Sequence, residues 1–206
     1  MDNHFLFLEK KFKEVSRLIP KNSRILDVGC NDGKLRGYLD SCNYFGVDID
    51  KEAINQLTKK NIKARQIDLD KDKLPFNDNS FDFVTLLDVI EHVSDPHSLI
   101  VQSKTKLRKN GKLIITLPND YHFLNKIRFL FNKPITQDPF APHGHLHIFP
   151  IKNGEKFLIS HGLKIIKKIP IPPVKPSFLP GYIKNFLGKK FSNSFARDIL
   201  YVLEPR

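Results

Sequence analysis

Acidic residues recur in this chain where short apolar runs end. Asp27 follows Arg24-Ile25-Leu26, Asp48 follows Tyr44 to Val47, Asp68 lies near the end of Ala64 to Leu69, and Asp88 follows Phe81 to Leu87. Carboxylates at strand tips sit where open α/β sheets bind ligands, at the carboxyl ends of the strands. Between the first two acids Gly29 and Gly33 bracket a tight turn, with Cys30 and Asn31 between them. A glycine turn from strand to helix lets a ligand approach the backbone closely. An acid about 20 residues further on can hold a ribose by its hydroxyls. The residues therefore read as a site for a nucleoside-containing cofactor. The glycines do not make G-x-G-x-x-G, and Asp27 just before the turn would repel a phosphate. The same carboxylate could accept from a cationic amino group.

A second group has the types needed for acid–base work. Asp88, Glu91 and His92 follow the fourth apolar run closely. A histidine works as a base near neutral pH. One imidazole with two carboxylates also suits a hard or borderline ion. A buried, hydrogen-bonded structural histidine is the plainer reading of His92. Further on, His143, His145 and His147 alternate, which on an extended segment places all three on one face. That face could touch substrate, bind a metal, or be ordinary loop surface.

The elements around these residues alternate in type. Apolar positions spaced helically from Phe5 to Ile19 predict an amphipathic leading helix within residues 1–20. Strands are expected at Arg24, at Tyr44–Val47, at Ala64–Leu69, at Phe81–Leu87 and at Leu113–Leu117. Helices are expected at Lys34–Leu39, at Lys51–Lys60 and from Pro96 to Lys109. Alternation of this kind argues for a parallel sheet with helices on both faces. Between Asn119 and Pro150 the pattern breaks. A helix is expected over Asn119–Phe131, then a loop and the histidines. Long loops inside a compact domain are usually functional or disordered. A helix over Ile151–His161, a strand over Leu163–Ile169 and a last strand over Ser194–Leu203 close the chain.

The blocks LDVGC-x-x-G, GVDI, LPF-x-x-x-SFD-x-V, D-x-x-EHV-x-D-P and L-x-x-x-G-x-L-I-I-T-LPN occur in this order. Over roughly residues 20 to 170 the sequence resembles the class I S-adenosylmethionine-dependent methyltransferases. It is most similar to the small-molecule branch that includes ubiquinone-type O-methyltransferases. Asn31 departs from the glycine common in that family, but asparagine tolerates a left-handed backbone. The resemblance implies a Rossmann-like, doubly wound α/β fold, with a mostly parallel seven-stranded sheet and the last strand as an antiparallel edge. It implies one methyltransferase domain over residues 1–206, with 119–150 as a substrate-side insertion or lid. It implies that Gly29, Cys30, Asn31 and Gly33 pass the methionyl part of S-adenosylmethionine and that Asp27 faces its amino group. Asp48 would take the ribose hydroxyls, Ile49 would pack on adenine, and Asp68 with Leu69 would meet the adenine edge. Asp88 is expected in the cofactor set, and Glu91, His92 and His145 are the catalytic candidates. The family's positions matching Asp88, Glu91 and His92 are linked to a divalent metal, with Asp88 here replacing a glutamate; no metal is assigned to this chain.

The implied reaction is methyl transfer to a small molecule, an oxygen being the expected acceptor. The rivals are a methyltransferase of RNA or protein and a non-catalytic partner subunit of the same fold. With 206 residues, 40% hydrophobic and 27% charged, the composition is that of a soluble globule. Net charge is +12 and the pI about 9.6. Such a balance permits nucleic acid, an anionic membrane surface or an acidic substrate. No nucleic acid is expected, because Asp88 to His92 is not the Asn/Asp-Pro-Pro-aromatic motif of base-nitrogen methylation. Phe178 to Phe191 mixes apolar and basic residues and could touch a membrane or a lipid-like substrate. Two cysteines in no metal pattern, no transmembrane-length apolar run and no signal-peptide core make the cytoplasm the expected location.

Overall fold

The computed structural model describes residues 3–133, 144–173 and 180–206. Helix α1 (Asn3–Ser16) leads into β1 (Arg24–Val28), a 3-10 turn at Lys34–Tyr38, β2 (Asn43–Asp48), α2 (Lys51–Lys59) and β3 (Lys63–Gln66). Then come β4 (Phe81–Leu86), α3 (Pro96–Lys106), β5 (Leu107–Pro118), α4 (Phe123–Leu130) and α5 (Ile151–Ser160). The chain ends with β6 (Leu163–Ile171), α6 (Gly181–Lys190), α7 (Ser192–Phe195) and β7 (Asp198–Pro205). The strands form one seven-stranded sheet in the order β3-β2-β1-β4-β5-β7-β6. The first five are parallel, and β7 pairs antiparallel to both β5 and β6.

Alternate residues of the central strands feed two separate cores, which is why those strands read as unbroken apolar runs. Ile25, Phe83, Ile114 and Leu200 pack with Phe7 and Val15 of α1 and Ile54 and Leu57 of α2. Their neighbours Leu26, Val84, Ile115 and Tyr201 pack with Leu99 and Ile100 of α3 and Leu158 of α5. Asp50 caps α2, accepting from Glu52 N at 2.8 Å and Ala53 N at 3.1 Å, and Asp95 caps α3 through Ser98 N.

Several expected boundaries move. The inner face of α1 is Phe7, Lys11 and Val15, all at most 1% exposed, whereas Phe5 is 43% exposed. A lysine replaces an apolar residue on that stripe for a reason given below. Helix α3 stops at Lys106, not Lys109, and β5 starts at Leu107, well before Leu113. The pairing jumps from Phe81↔Leu107 to Phe83↔Lys112, so Arg108 to Gly111 bulge out of the ladder around Asn110 in the left-handed region. Helix α4 begins at Phe123, after a turn closed by His122 N on Asn119 O, and β3 ends before Asp68.

The last strand is not the edge. β7 runs from Asp198, not Ser194, and lies between β5 and β6, with Ile199, Leu200, Tyr201 and Leu203 all fully buried. The edge is β6, whose exposed lysines and Pro170 are the residues that suit an unpaired ladder. Among the described residues no helix is long and apolar enough to cross a membrane.

Candidate active site

The glycine turn takes the backbone through left-handed angles at Gly29 (φ 74°), Asn31 (φ 45°) and Gly33 (φ 71°). Asn31 thus adopts the conformation its side chain tolerates. A Cβ on Gly29 would lie 2.4 Å from Val89 Cγ2, so the turn also needs glycine for close approach to the β4 tip. The turn is laced to β2. Gly29 N and Cys30 N both donate to Val47 O, at 2.8 and 3.0 Å. Asn31 N donates to Asp48 Oδ2 at 2.7 Å, and Asp50 N donates to Asp48 Oδ1 at 2.9 Å. Asp48 is therefore held at the β2 tip, half-buried, beside an Ile49 side chain that is 56% exposed. An exposed isoleucine next to a fixed carboxylate is the arrangement a ribose and a base would use.

Asp27, Cys30 and Asp68 are placed differently from expectation. Asp27 lies inside β1 and is 3% exposed. It accepts from Thr85 Oγ1 at 2.6 Å and from Tyr44 OH at 2.7 Å. Burial pushes its pKa up to about 6 against these two bonds. It supports the turn from beneath instead of offering a free carboxylate to an amino group. The Cys30 thiol points into the core, where a Cβ on Gly46 would meet it at 2.6 Å, and burial pushes the thiol up. Only the backbone of Cys30 faces the turn's ligand side. Asp68 sits in the turn after β3, accepting from Lys71 Nζ at 2.7 Å and Asp70 N at 3.1 Å. Asp68 thus holds a local turn, with Leu69 beside it partly buried against the core.

The second cluster gathers at the ends of β4, β5 and β7 around a cavity of about 450 Å³. Asp88 has φ 56°, an uncommon angle for a non-glycine residue. Its backbone N and its Oδ1 both engage Thr116 Oγ1, at 2.8 and 2.9 Å. Both Asp88 oxygens accept from Lys11 Nζ, which also pairs with Asp198 at 2.6 Å. This is why a fully buried lysine stands on the inner stripe of α1. Burial pushes Asp88 up, but the Lys11 charge and its hydrogen bonds outweigh it and hold the carboxyl below its ordinary range. Asp88 thus ties the leading helix to the β4 tip while its side chain still lines the cavity.

Glu91 is 1% exposed, and its Oε2 has no hydrogen-bond partner. Burial, then the Asp88 charge, raises its pKa well above the ordinary value. Its carbonyl accepts from Leu146 N at 2.8 Å and His147 N at 3.2 Å. His92 Nδ1 donates to Gly144 O at 3.2 Å, and His147 Nε2 donates to Val93 O at 2.9 Å. These bonds strap residues 144–147 onto the 91–93 turn. The alternation expected of the histidines holds for two of them: His145 and His147 face the turn while Leu146 and Ile148 are exposed. His143 lies outside the described residues.

The strap brings the His145 ring to 5.0 Å from that of His92, edge to face. His145 Nδ1 lies 3.7 Å from Asp120 Oδ1, and neither this nitrogen nor Asp120 Oδ2 has a hydrogen bond. Glu91, His92 and His145 each offer one ligand atom within 4.8 Å of the others. Two imidazoles and a carboxylate suit a borderline divalent ion. If one binds, these three side chains would hold it. Lys11, Asp120, Asp198 and the cavity-lining Asn125 and Arg128 were not singled out from sequence. Only Lys11 left a signal, a charge at i+4 between two core positions, Phe7 and Val15.

A glycine turn tied to an acid at the next strand tip, beside a cavity at the carboxyl ends of the strands, is the arrangement expected of a class I S-adenosylmethionine-dependent methyltransferase. The profile of a methyltransferase-domain family matches residues 3–168, and the chain belongs to that family. An uncharacterised protein of Methanocaldococcus jannaschii is 31% identical over 193 residues, covering 89% of this chain and 80% of the relative. The ubiquinone biosynthesis O-methyltransferase of Glaesserella parasuis is 30% identical over 107 residues, 47% of this chain and 45% of that enzyme. The match thus spans under half the length of that O-methyltransferase. A methyltransferase of Thermotoga maritima, described as a possible histamine N-methyltransferase, superposes with a TM-score of 0.68 over 99% of this chain and 91% of its own, at 18% identity. That likeness shows the fold.

Proposed function

We propose that this enzyme transfers the methyl group of S-adenosylmethionine to an oxygen of a small molecule seated in the 450 Å³ cavity, with His92 taking the acceptor proton. The observation that carries this reading is the imidazole pair at the cavity wall, set beside the buried Glu91. In the displacement the acceptor oxygen attacks the methyl carbon, the carbon–sulfur bond breaks, and the sulfonium becomes a neutral thioether. The proton leaving the hydroxyl needs a base. With Nδ1–H committed to Gly144 O, the neutral tautomer of His92 carries its lone pair on Nε2. His145, near Asp120, orients the first ring or shares the proton. The cavity is of the size that encloses a small ligand, and its wall includes Arg128 and Arg197, which suit an acceptor bearing an acid.

The test uses labelled S-adenosylmethionine with cell extracts split into small-molecule, lipid, glycan, protein and RNA fractions. Label in an alkali-stable ether of a small molecule is expected. Label confined to RNA or protein overturns the acceptor class. For the role of His92, His92→Ala should lower turnover by about 10²–10⁴-fold, the usual worth of a positioned base, while cofactor affinity holds. Full turnover in that variant removes His92 from the reaction.

A further inference from the structure

The outer surface of α4, α6 and α7 is unlike the rest of the molecule. On α4, Asn125 is buried and lines the cavity. At 100° per residue Phe123, Ile127 and Leu130 fall on the opposite side. There Leu130 is 80% exposed, and Phe131 just beyond the helix is 72% exposed. On α6, Ile183 and Leu187 are partly covered, while Tyr182 and Phe186, four apart, are 75% and 56% exposed. Ring contacts join the two helices: Phe123 stacks on Phe195 at 5.4 Å, and Phe195 meets Phe191 at 6.4 Å. Isolated exposed apolar residues need no explanation, but a joined set of large ones marks an interaction site.

Among the described residues of these helices and their flanks, the exposed charge has one sign. Lys126, Arg128 and Lys133 are exposed on or beside α4, and Lys190 lies over the rings of Phe186 and Phe191 at 5.4 and 5.9 Å. Neither 121–133 nor 180–197 contains an Asp or a Glu. Exposed aromatic and leucine side chains interleaved with cations, and no acids, match an anionic lipid interface. Apolar groups enter the acyl boundary there and basic ones meet the head groups. A soluble protein partner would not require every rim charge to be positive. We propose that this face docks on an anionic lipid membrane. Because α4 carries the patch on one side and a wall of the cavity on the other, docking sets the cavity close to the lipid surface. The proposal does not depend on which acceptor is methylated, and its test reads binding without turnover.

The probe is vesicle co-sedimentation, comparing phosphatidylcholine alone with phosphatidylcholine containing roughly one-third phosphatidylglycerol. The wild-type chain is expected to sediment with the anionic vesicles and to be released by salt. Leu130→Ser/Phe131→Ser and Lys126→Glu/Lys133→Glu should each weaken binding by about tenfold or more, since two apolar anchors or two interfacial charges are lost. Calorimetric titration with S-adenosylmethionine checks that both pairs still fold. The proposal is overturned if wild type ignores the anionic vesicles or binds both kinds equally. It is also overturned if both variants bind as wild type does. A wild-type dimer that either variant dissociates would assign the patch to a second copy, and binding to RNA without vesicle binding would assign it to nucleic acid; each refutes the membrane reading.

Discussion

Lys11 is the residue whose removal the structure prices most clearly. Its side chain is fully buried, and it is the cation between Asp88 and Asp198, whose side chains are 35% and 8% exposed. Lys11→Met fits the stripe between Phe7 and Val15 but leaves the buried Asp198 and the partly exposed Asp88 without this cation, with Glu91 nearby. Removing one member of a buried ion pair costs about 3–5 kcal/mol, mostly from the charge left behind. For a chain of this size that lowers the melting temperature by roughly 6–20 °C. The loss should depend on pH. In the wild type Lys11 is raised well above its ordinary 10.5, so its contribution is complete below that value and disappears only as pH rises past the folded one. Asp88 is held below 3.8, so its contribution is complete above that value and disappears as pH falls through the folded one. Both stay charged from about pH 5 to 8 and add no pH dependence there. Without Lys11 the two aspartates move upward, the folded state takes up protons first, and the deficit shrinks as pH falls towards about 5. Urea unfolding followed by circular dichroism at several pH values measures this. Asp198→Asn placed on top of Lys11→Met should recover part of the loss, because it removes the stranded charge. A deficit under about 1 kcal/mol, a deficit equal at both ends of the range, or strictly additive effects would refute the argument.

Gly29→Ala forces a Cβ to within 2.4 Å of Val89 at φ 74°. It should cost about 1–2 kcal/mol in stability for the left-handed angle alone and weaken S-adenosylmethionine binding, which differential scanning and calorimetry can separate. Asp48→Ala removes the acceptor that fixes Asn31 N and would hold the ribose, so cofactor affinity should fall by about 10–150-fold, the equivalent of one charged hydrogen bond; unchanged affinity would remove Asp48 from the cofactor site. Asp27 carries a pH signature of opposite sign to that of Asp88. Its folded pKa of about 6 exceeds its ordinary 3.8, so stability should fall as pH rises between those values. Asp27→Asn should flatten that window, and an unchanged slope would show that the carboxyl does not titrate there.

The strand–helix alternation and the glycine turn were legible because each rests on local rules. Apolar runs buried on both faces, a Cβ-free left-handed turn and side-chain caps are all decided within a few residues. Where β7 inserts was also written in the chain. DILYVL has no polar residue past Asp198, whereas LKIIKKIPI carries lysines and a proline, so the first belongs inside the sheet and the second at its edge. Treating the last strand as the edge ignored that contrast. The ends of α3 and β5 were harder, because the bulge from Arg108 to Gly111 is set by pairing with β4 across the sheet and not by any helix signal nearby.

The site divides along the same line. Gly29, Asn31, Gly33 and Asp48 find the local partners their spacing suggested, because the turn and its acid lie within twenty residues and bond each other directly. Asp88 does not, because its partner Lys11 is 77 residues away and arrives only when α1 packs on the sheet. Glu91 and His92 meet His145 in the same way, through a strap from 144–147: the alternation of its histidines put them on one face, but which turn that face meets is set by the tertiary fold. The distinction is physical. A residue whose partner is local has a function readable from spacing, while a buried ionisable residue has its function set by whichever charge the tertiary fold delivers to it. Asp88 and Glu91 make the case within one turn of chain: three residues apart, one is held below the ordinary carboxylate range by a lysine and the other is pushed above it by burial.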